Sequence, residues 1–154
     1  MPRHKPHMRG YVSALTRQLA RIAERYQATR VIRRPRLVPV SDVTAGNALD
    51  PEDQKIITLA RSTRARVAAS EGAAVRDETG RTYTAAAVAL PSLHLSALRL
   101  AVAMAVSSGA ESLEAAALVS DKDPDPGDLA AVRDLGPEAP VFHAAPDGTL
   151  RAVL

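Results

Sequence analysis

The segment over residues 96–109 constrains the fold most, because it contains an apolar run of seven residues, the longest in the chain. This run is far shorter than the roughly 20 residues that cross a bilayer, so we expect no membrane span. Arg99 is the only strongly polar side chain in its middle, Ser92 can cap a helix in front of it, and Gly109 can end one. The pattern predicts a helix over about residues 93–108, buried on most of its surface.

Helical and extended patterns alternate on both sides of this segment. Asp50 followed by Pro51 is typical of a helix start. It predicts a helix to about residue 65 with core residues Ile56, Ile57, Leu59 and Ala60. Residues 77–80 indicate a turn between two strands of a hairpin. The remaining predicted elements are strands over residues 72–76, 81–90, 113–120, 140–144 and 150–154, and a helix over residues 127–135.

The order helix, hairpin, helix, strand, helix and two strands is typical of an α/β sandwich. We predict three layers, in which a mixed five-stranded sheet carries helices on its faces. The strand over residues 113–120 is apolar enough to lie at the centre of this sheet. Residues 48–154 are expected to form this domain around a single core.

The chain contains no cysteine. Disulfides, thiolate nucleophiles and cysteine-ligated zinc are therefore excluded together. The N-terminal residues lack the continuous apolar segment of a secretory signal. Both observations favour a cytoplasmic location.

The net charge of +3 hides an asymmetry along the chain. Residues 1–40 contain ten Lys or Arg and one acid, Glu24, which gives a net charge of +9. Residues 41–154 contain ten Lys or Arg and 16 Asp or Glu, which gives a net charge of −6. We predict a basic extension over residues 1–47 with a helix near residues 11–28. Three interpretations stay open: an arm that binds RNA phosphates, a helix on an acidic membrane, or a disordered or misassigned start without function. Of these partners we retain RNA and expect no membrane.

Several phrases in the chain resemble the cytidine deaminase family. They are Gly72-Ala73-Ala74-Val75, Asp77 with Gly80-Arg81-Thr82-Tyr83-Thr84, the helix segment over residues 96–109, and Pro140-Val141 with Asp147-Gly148. Together they cover about residues 49–154. The resemblance implies a cytidine deaminase-like sandwich, the fold on which active relatives hydrolyse an amino group from a pyrimidine nucleoside.

Active members hold Zn²⁺ through one His or Cys of a first motif and two Cys of a Pro-Cys-x-x-Cys motif. The metal lowers the pKa of a bound water, and a Glu moves protons as the hydroxide attacks the ring. Aligned without gaps, this chain has Ser96 at the first ligand position and Leu98 at the glutamate position. The second motif falls around residues 126–129, which contain neither Cys nor His. The resemblance therefore implies no catalytic residue, no metal site and no bound cofactor.

Two further comparisons with the family weaken a nucleoside site. The positions where relatives carry nucleoside-contacting Asn and Glu hold Ala87 and Ala89. His94 is the best alternative metal ligand, but the family signature then needs Glu where the chain has Ser96. We expect His94 at a helix start and His143 on a strand, facing solvent.

An acidic segment resembles the opening of a calcium-binding loop, with Asp121, Asp123 and Asp125 in alternate positions. Such a loop needs Gly at its sixth place and Glu at its twelfth, where this chain has Pro126 and Val132. We therefore predict a solvated loop, in which Asp125 or Asp128 caps the following helix.

Three functions remain as hypotheses. The first is a cytidine deaminase-like protein without catalytic activity, which acts structurally or as a regulator through protein contacts, including a homo-oligomer. The second is an active nucleoside deaminase with an atypical site. The third is an RNA- or ribosome-associated accessory protein that uses residues 1–40. The sequence identifies no protein partner.

Overall fold

A computed structural model describes residues 49–154 of the chain. The predictions of a basic extension over residues 1–47 and of a helix near residues 11–28 lie outside the described residues.

Within the described part, three helices and seven strands follow one another along the chain. The helices are α1 (Pro51–Arg66), α2 (Ala97–Ser107) and α3 (Pro126–Leu135). The strands are β1 (Glu71–Asp77), β2 (Thr82–Ala86), β3 (Val88–Leu90), β4 (Leu93–Leu95), β5 (Leu113–Ser120), β6 (Val141–Ala144) and β7 (Leu150–Val153).

Five strands form one mixed sheet in the order β2-β1-β5-β6-β7. β5 and β6 run parallel, and the other neighbours are antiparallel. β5 lies at the centre, and every residue in it except Glu114 is buried. The predicted mixed sheet and its central strand are confirmed.

The sheet separates two cores, because successive side chains of a strand point to opposite faces. On β5, Ala116 and Leu118 belong to the core that also contains residues of α2 and α3. Ala117 and Val119 belong to the core on the α1 side. The predicted three-layer arrangement is therefore confirmed, with α1 on one face and α2 and α3 on the other.

α1 begins as the sequence predicts. Asp50 is its N-cap and accepts the Glu52 N–H at 2.8 Å, and Pro51 takes the first helical position. The predicted core is confirmed for Ile56, Ile57 and Ala60, whereas Leu59 is only partly buried.

A buried carboxylate organises the turn between β1 and β2. Asp77 is 1% exposed, and its Oδ1 accepts the backbone N–H groups of Thr79 and Arg81 and the Thr79 hydroxyl. Its Oδ2 accepts the Tyr83 hydroxyl at 2.9 Å. The two hydroxyl donors explain the choice of Thr79 and Tyr83 around Asp77, whereas Arg81 takes part only through its backbone N–H.

The single strand predicted over residues 81–90 is in fact two strands. After β2, the Ala87 N–H still donates to the Glu71 carbonyl at 3.1 Å, but the chain then leaves the sheet. β3 pairs with β4 instead, with Leu90 opposite Leu93, and forms a separate two-stranded hairpin. The prediction of one long strand was wrong because a continuous apolar run does not reveal where a strand changes partners.

The start of α2 also differs from the prediction. Residues that were expected to begin the helix are extended in β4, and α2 starts at Ala97. Its N-cap is Ser96, whose hydroxyl accepts the Arg99 N–H at 3.2 Å. Ser92 instead lies in the turn between β3 and β4, so the predicted cap was displaced by one helical turn.

α2 is buried on one face only, which corrects the prediction that most of its surface is covered. The buried side chains are Ala97, Leu98, Ala101, Val102 and Ala105. Ala103, Met104 and Val106 lie on the opposite face and are exposed. Gly109, with φ +93°, follows the helix end as predicted. Among residues 49–154, no helix is both long enough and apolar enough to cross a membrane.

Candidate functional site

The first residues of α2 and α3 meet through polar side chains. Ser96, the N-cap of α2, donates its hydroxyl to Oδ1 of Asp128 in the first turn of α3, at 2.9 Å. Asp125 caps α3 by accepting the Gly127 N–H at 2.8 Å, which confirms one of the two predicted caps. The two helix starts therefore form one polar cluster, in which the sequence-predicted residue Ser96 takes part.

Arg99 supplies the positive charge of this cluster. Its Nε forms an ion pair with Asp128 Oδ1 at 2.8 Å, and its Nη2 donates to Asp125 Oδ1 at 3.3 Å. Asp128 is 4% exposed, whereas about half of the Arg99 side chain remains accessible. In the sequence, Arg99 is recognisable only as a polar residue within an apolar helix. Its two acidic partners cannot be identified there, because they are 26 and 29 residues away in the chain.

Leu98 is a core residue. It is fully buried and packs in the cluster that joins α2 to the sheet. A leucine side chain has no proton to give or accept, and this one contacts apolar neighbours. The position to which the resemblance assigns the catalytic glutamate is therefore part of the hydrophobic core.

The donor set at the helix starts does not fit the zinc ion that active members of the resembled family hold. Proteins bind Zn²⁺ through thiolates, imidazoles and carboxylates. Here the hydroxyl of Ser96 already donates to Asp128, and the same Oδ1 forms an ion pair with the Arg99 guanidinium. Within residues 49–154, no group of three or more His, Cys, Asp or Glu side chains could hold a metal ion.

The start of α3 offers no replacement ligands. Pro126 occupies the first position of the helix, as the proline of the family's second motif would. Counting from it, the two cysteine positions of Pro-Cys-x-x-Cys hold Gly127 and Ala130. A Cβ placed on Gly127 would lie 2.2 Å from Nη2 of Arg99, so the guanidinium fills the space in which a side chain at this position would begin.

The two alanines at the expected nucleoside-contacting positions lie at the junction with the extra hairpin. Ala87 connects β2 to β3 and is half-buried, and Ala89 is exposed on β3. Methyl groups form no hydrogen bonds to a ribose or a base. The side chains of Ala87 and Ala89 therefore offer no hydrogen bond to a nucleoside.

A row of polar residues below the helix starts was not identified from the sequence. Glu71 is paired in register with Ser120, and its carboxylate accepts the Ala97 N–H at 3.3 Å. Ser120 Oγ lies 3.4 Å from Nε2 of His143 on the neighbouring strand. Strand alternation could have placed all three on the α2 and α3 face, but it could not have placed them next to one another without the strand order.

His143 is 2% exposed, so the prediction that it faces solvent was wrong. It alternates with Phe142 and Ala144 of the α1-side core, and a four-residue strand with burial on both faces leaves no solvent side. Burial lowers the pKa of His143, as does the charge of Arg151, although the opposite charge of Asp123 raises it. The imidazole is therefore neutral at neutral pH.

Ser120 and His143 do not form a nucleophilic pair. The Ser120 hydroxyl donates to the Lys122 carbonyl, so its proton is directed into the loop before α3. Ser120 and His143 are each 2% exposed, so neither side chain faces solvent. The pair fixes the path of the chain from β5 towards α3.

The remaining candidate residues are separate from the cluster. His94 is exposed in β4, which corrects its predicted place at a helix start. In the acidic loop, Asp121 forms an ion pair with Arg64 at 3.4 Å, and Asp123 is exposed. These residues do not converge on one point, in agreement with the prediction of a solvated loop.

The domain resembles solved cytidine deaminases. A structure from Burkholderia pseudomallei matches with a TM-score of 0.58 and 23% identity, covering 65% of this chain and 89% of that chain. A structure from Mycobacterium leprae matches with a TM-score of 0.53 and 20% identity, covering 67% of this chain and 94% of that chain. A structure from Mycobacterium tuberculosis matches with a TM-score of 0.53 and 23% identity, covering 67% of this chain and 91% of that chain. At these identities the likeness shows the fold, while a comparison with curated protein sequences found no match.

The family comparison covers nearly all of the described residues. The model of the family described as cytidine deaminase-like matches residues 49–148. Since this match spans more than half of the 154 residues, the chain belongs to the cytidine deaminase-like family.

Proposed function

We propose that the protein is a catalytically inactive member of this family, which acts structurally or as a regulator through protein contacts. The observation that carries the proposal is the polar cluster of Ser96, Arg99 and Asp128 at the two helix starts. The Arg99 guanidinium is paired there with the Asp128 carboxylate, so a cation of the protein itself engages this carboxylate. Zinc-dependent activation of water has no ligand set at this place.

Proton transfer gives the proposal a second support. Deamination needs a group that takes a proton from the water and returns it to the leaving amine. The family position holds the buried Leu98, and the Asp128 carboxylate is engaged by Ser96 and Arg99. The other carboxylate at the start of α2, that of Glu71, accepts the Ala97 N–H. The cluster thus supplies neither the nucleophile nor the proton shuttle.

The contact surface we propose is the outer face of α2. Met104 is 39% and Val106 40% exposed, and they lie on the two flanks of the exposed Ala103. A second copy of the chain would cover these apolar side chains in a homo-oligomer. Light scattering on the wild type and on Val106→Arg tests this point: a larger wild-type mass that the variant loses supports it, and two monomers contradict it.

The RNA-binding alternative depends on the net charge of +9 over residues 1–40, which lie outside the described residues. Phosphate contacts would make such binding fall steeply with salt. Deleting residues 1–42 would abolish it, whereas equal binding by both proteins, or none, would reject this function.

The activity proposal is tested by following conversion of cytidine to uridine with the full chain, with and without added zinc. A known cytidine deaminase serves as the positive control. We expect no turnover above the uncatalysed rate under either condition. Turnover by the wild type would contradict the proposal. If the wild type turns over cytidine, loss of this turnover in Asp128→Asn, but not in the exposed control Asp123→Asn, would assign an atypical site to the helix starts.

A further inference from the structure

The segment that joins β5 to α3, residues 121–125, is almost entirely exposed and has no regular secondary structure. Polar contacts hold its first residues to the sheet. The Ser120 hydroxyl donates to the Lys122 carbonyl, and Nη1 of Arg151 donates to the carbonyls of Ser120 and Asp121 at 3.2 and 3.1 Å. Because the side chains of this segment belong to neither core, the segment can open without exposing the core.

A buried histidine lies against the first of these contacts. Nε2 of His143 is 3.4 Å from Oγ of Ser120, and His143 is 2% exposed. Since the Ser120 proton is directed to the Lys122 carbonyl, the hydroxyl oxygen is left to accept, and the imidazole donates from its Nε2–H. Nδ1 is then the atom that takes up a proton. Protonation would therefore charge a buried ring that one hydroxyl connects to the segment.

The charges on either side of His143 act in opposite directions. Burial lowers the pKa of His143 most, and the charge of Arg151 on β7 lowers it further. The charge of Asp123 raises the pKa, as do hydrogen bonds with the backbone at the start of the segment, while the side chain of Lys122 is exposed. A charged imidazole is thus disfavoured beside Arg151 and favoured by water and by the Asp123 carboxylate.

The other charged groups on this face of the sheet are already engaged. Glu71 lies opposite Ser120 on the next strand, and its carboxylate accepts a backbone N–H at the start of α2. In the helix layer, Asp128 forms an ion pair with Arg99. Asp123, which is exposed on the segment itself, is the carboxylate that can move towards the imidazole.

We propose that His143 is a proton-sensitive switch for residues 121–125. With a neutral imidazole the segment follows its closed path, held by Ser120 and Arg151. When the imidazole takes up a proton, the segment opens and Asp123 pairs with the imidazolium. The switch goes beyond the proposed function, because it states a conformational response that is independent of whether the protein has activity.

The direction of the response follows from proton linkage. The open segment exposes the imidazole to water, so its pKa returns towards the ordinary value of about 6.5. The open state therefore binds the proton more readily than the closed state. Between the two pKa values, the ratio of open to closed segment should rise about tenfold for each pH unit by which the pH falls.

Nuclear magnetic resonance on the full chain tests the switch by following the His143 imidazole and the backbone amides from about pH 8 to 5. The amide signals of residues 121–123 should change with the same midpoint as the imidazole, and their order parameters should fall below about 0.6. The amides of β5 should stay rigid, at about 0.85. An imidazole that titrates while the segment stays rigid would overturn the proposal, as would a loss of order in β5 at the same midpoint.

Three variants assign the response to the named groups. His143→Gln can keep an N–H donor but does not titrate, so the segment should stay closed throughout, whereas the exposed control His94→Gln should respond as the wild type does. Asp123→Asn changes only an exposed side chain, so its fold is safe, and it should lower the midpoint by roughly half a pH unit. A response that persists in His143→Gln, or a midpoint unchanged in Asp123→Asn, would overturn the switch and leave the proposed absence of activity intact.

Discussion

Asp77 holds the turn between β1 and β2 with one side chain. Burial alone would raise the pKa of this carboxyl, but hydrogen bonds from Thr79, Tyr83 and Arg81 outweigh it and hold the pKa below its usual value. A carboxyl with a depressed pKa stabilises the fold above its unfolded pKa, and this contribution is lost as the pH falls through the folded pKa. The turn should therefore weaken in acid, below about pH 4.

Replacing this carboxylate should be costly. Asp77→Ala leaves four donors without their acceptor and should lower the free energy of unfolding by about 2–4 kcal/mol, measured by chemical denaturation. Asp77→Asn can keep the Oδ1 acceptor and should cost less. Tyr83→Phe removes only the bond to Oδ2 and serves as the matched control. An alanine variant as stable as Tyr83→Phe would show that the turn does not depend on the carboxylate.

A second prediction at this scale concerns the buried His143. Because its folded pKa is lowered by burial, the unfolded chain binds the proton more readily, and stability should fall as the pH drops below about 6.5. His143→Gln should flatten this dependence between about pH 6.5 and 5. The exposed His94→Gln should leave it unchanged. Parallel melting curves for the wild type and His143→Gln across this range would refute the prediction.

The burial of His143 was beyond the reach of the sequence for a physical reason. A lone histidine in a four-residue strand gives no sign of which strands lie on either side of it. Ser96 and Ser92 pose a similar difficulty, because serines four residues apart both suit a helix cap. Only the pairing of β3 with β4 decides between them, and that pairing is a tertiary contact.

At the scale of elements, the tightest packing lies between α1 and β1. A Cβ added at Gly72 would lie 2.2 Å from the Ala60 carbonyl oxygen and 2.6 Å from Cβ of Arg64. Both contacts involve backbone or atoms next to it, so the helix itself would have to move. The glycine therefore sets the distance between α1 and the sheet.

Gly72→Ala should destabilise the domain by about 1–3 kcal/mol through overpacking. The comparison is Gly80→Ala in the turn, where an added Cβ would have no neighbouring atom within 4 Å but the backbone φ is +81°. That change should cost about 1–2 kcal/mol from backbone strain alone. Urea denaturation of both variants measures these losses of stability. A Gly72→Ala protein as stable as the wild type would contradict the overpacking of α1 against β1.

The helices and the central strand could be predicted because their signals are local. Asp50-Pro51 begins α1, Asp125-Pro126 begins α3, and the apolar run of β5 is bounded by polar residues. The separate hairpin could not be predicted, because Pro91-Ser92 lacks the glycine typical of short turns and apolar residues continue on both sides. A strand that changes partners within an apolar run leaves no periodic signal.

At the scale of the whole molecule, the family's fold carries a polar cluster of this chain's own at the starts of α2 and α3. Residues 49–148 match the cytidine deaminase-like family, and the sheet order and helix layers follow that fold. The two helix starts, to which the resemblance assigns the metal of active members, carry Ser96, Arg99 and Asp128 in mutual contact. The ion pair that lies there could not be predicted from the sequence, because it depends on the arrangement of α2 against α3.

The most direct test of this account is the zinc content per chain, measured by elemental mass spectrometry after dialysis. It should be determined on the full chain and on residues 43–154, because His4 and His7 in the extension could bind metal weakly. The account predicts zinc close to zero in residues 43–154. One zinc per chain in that protein would contradict it, because the helix starts or another site would then hold the metal on which the family's chemistry depends.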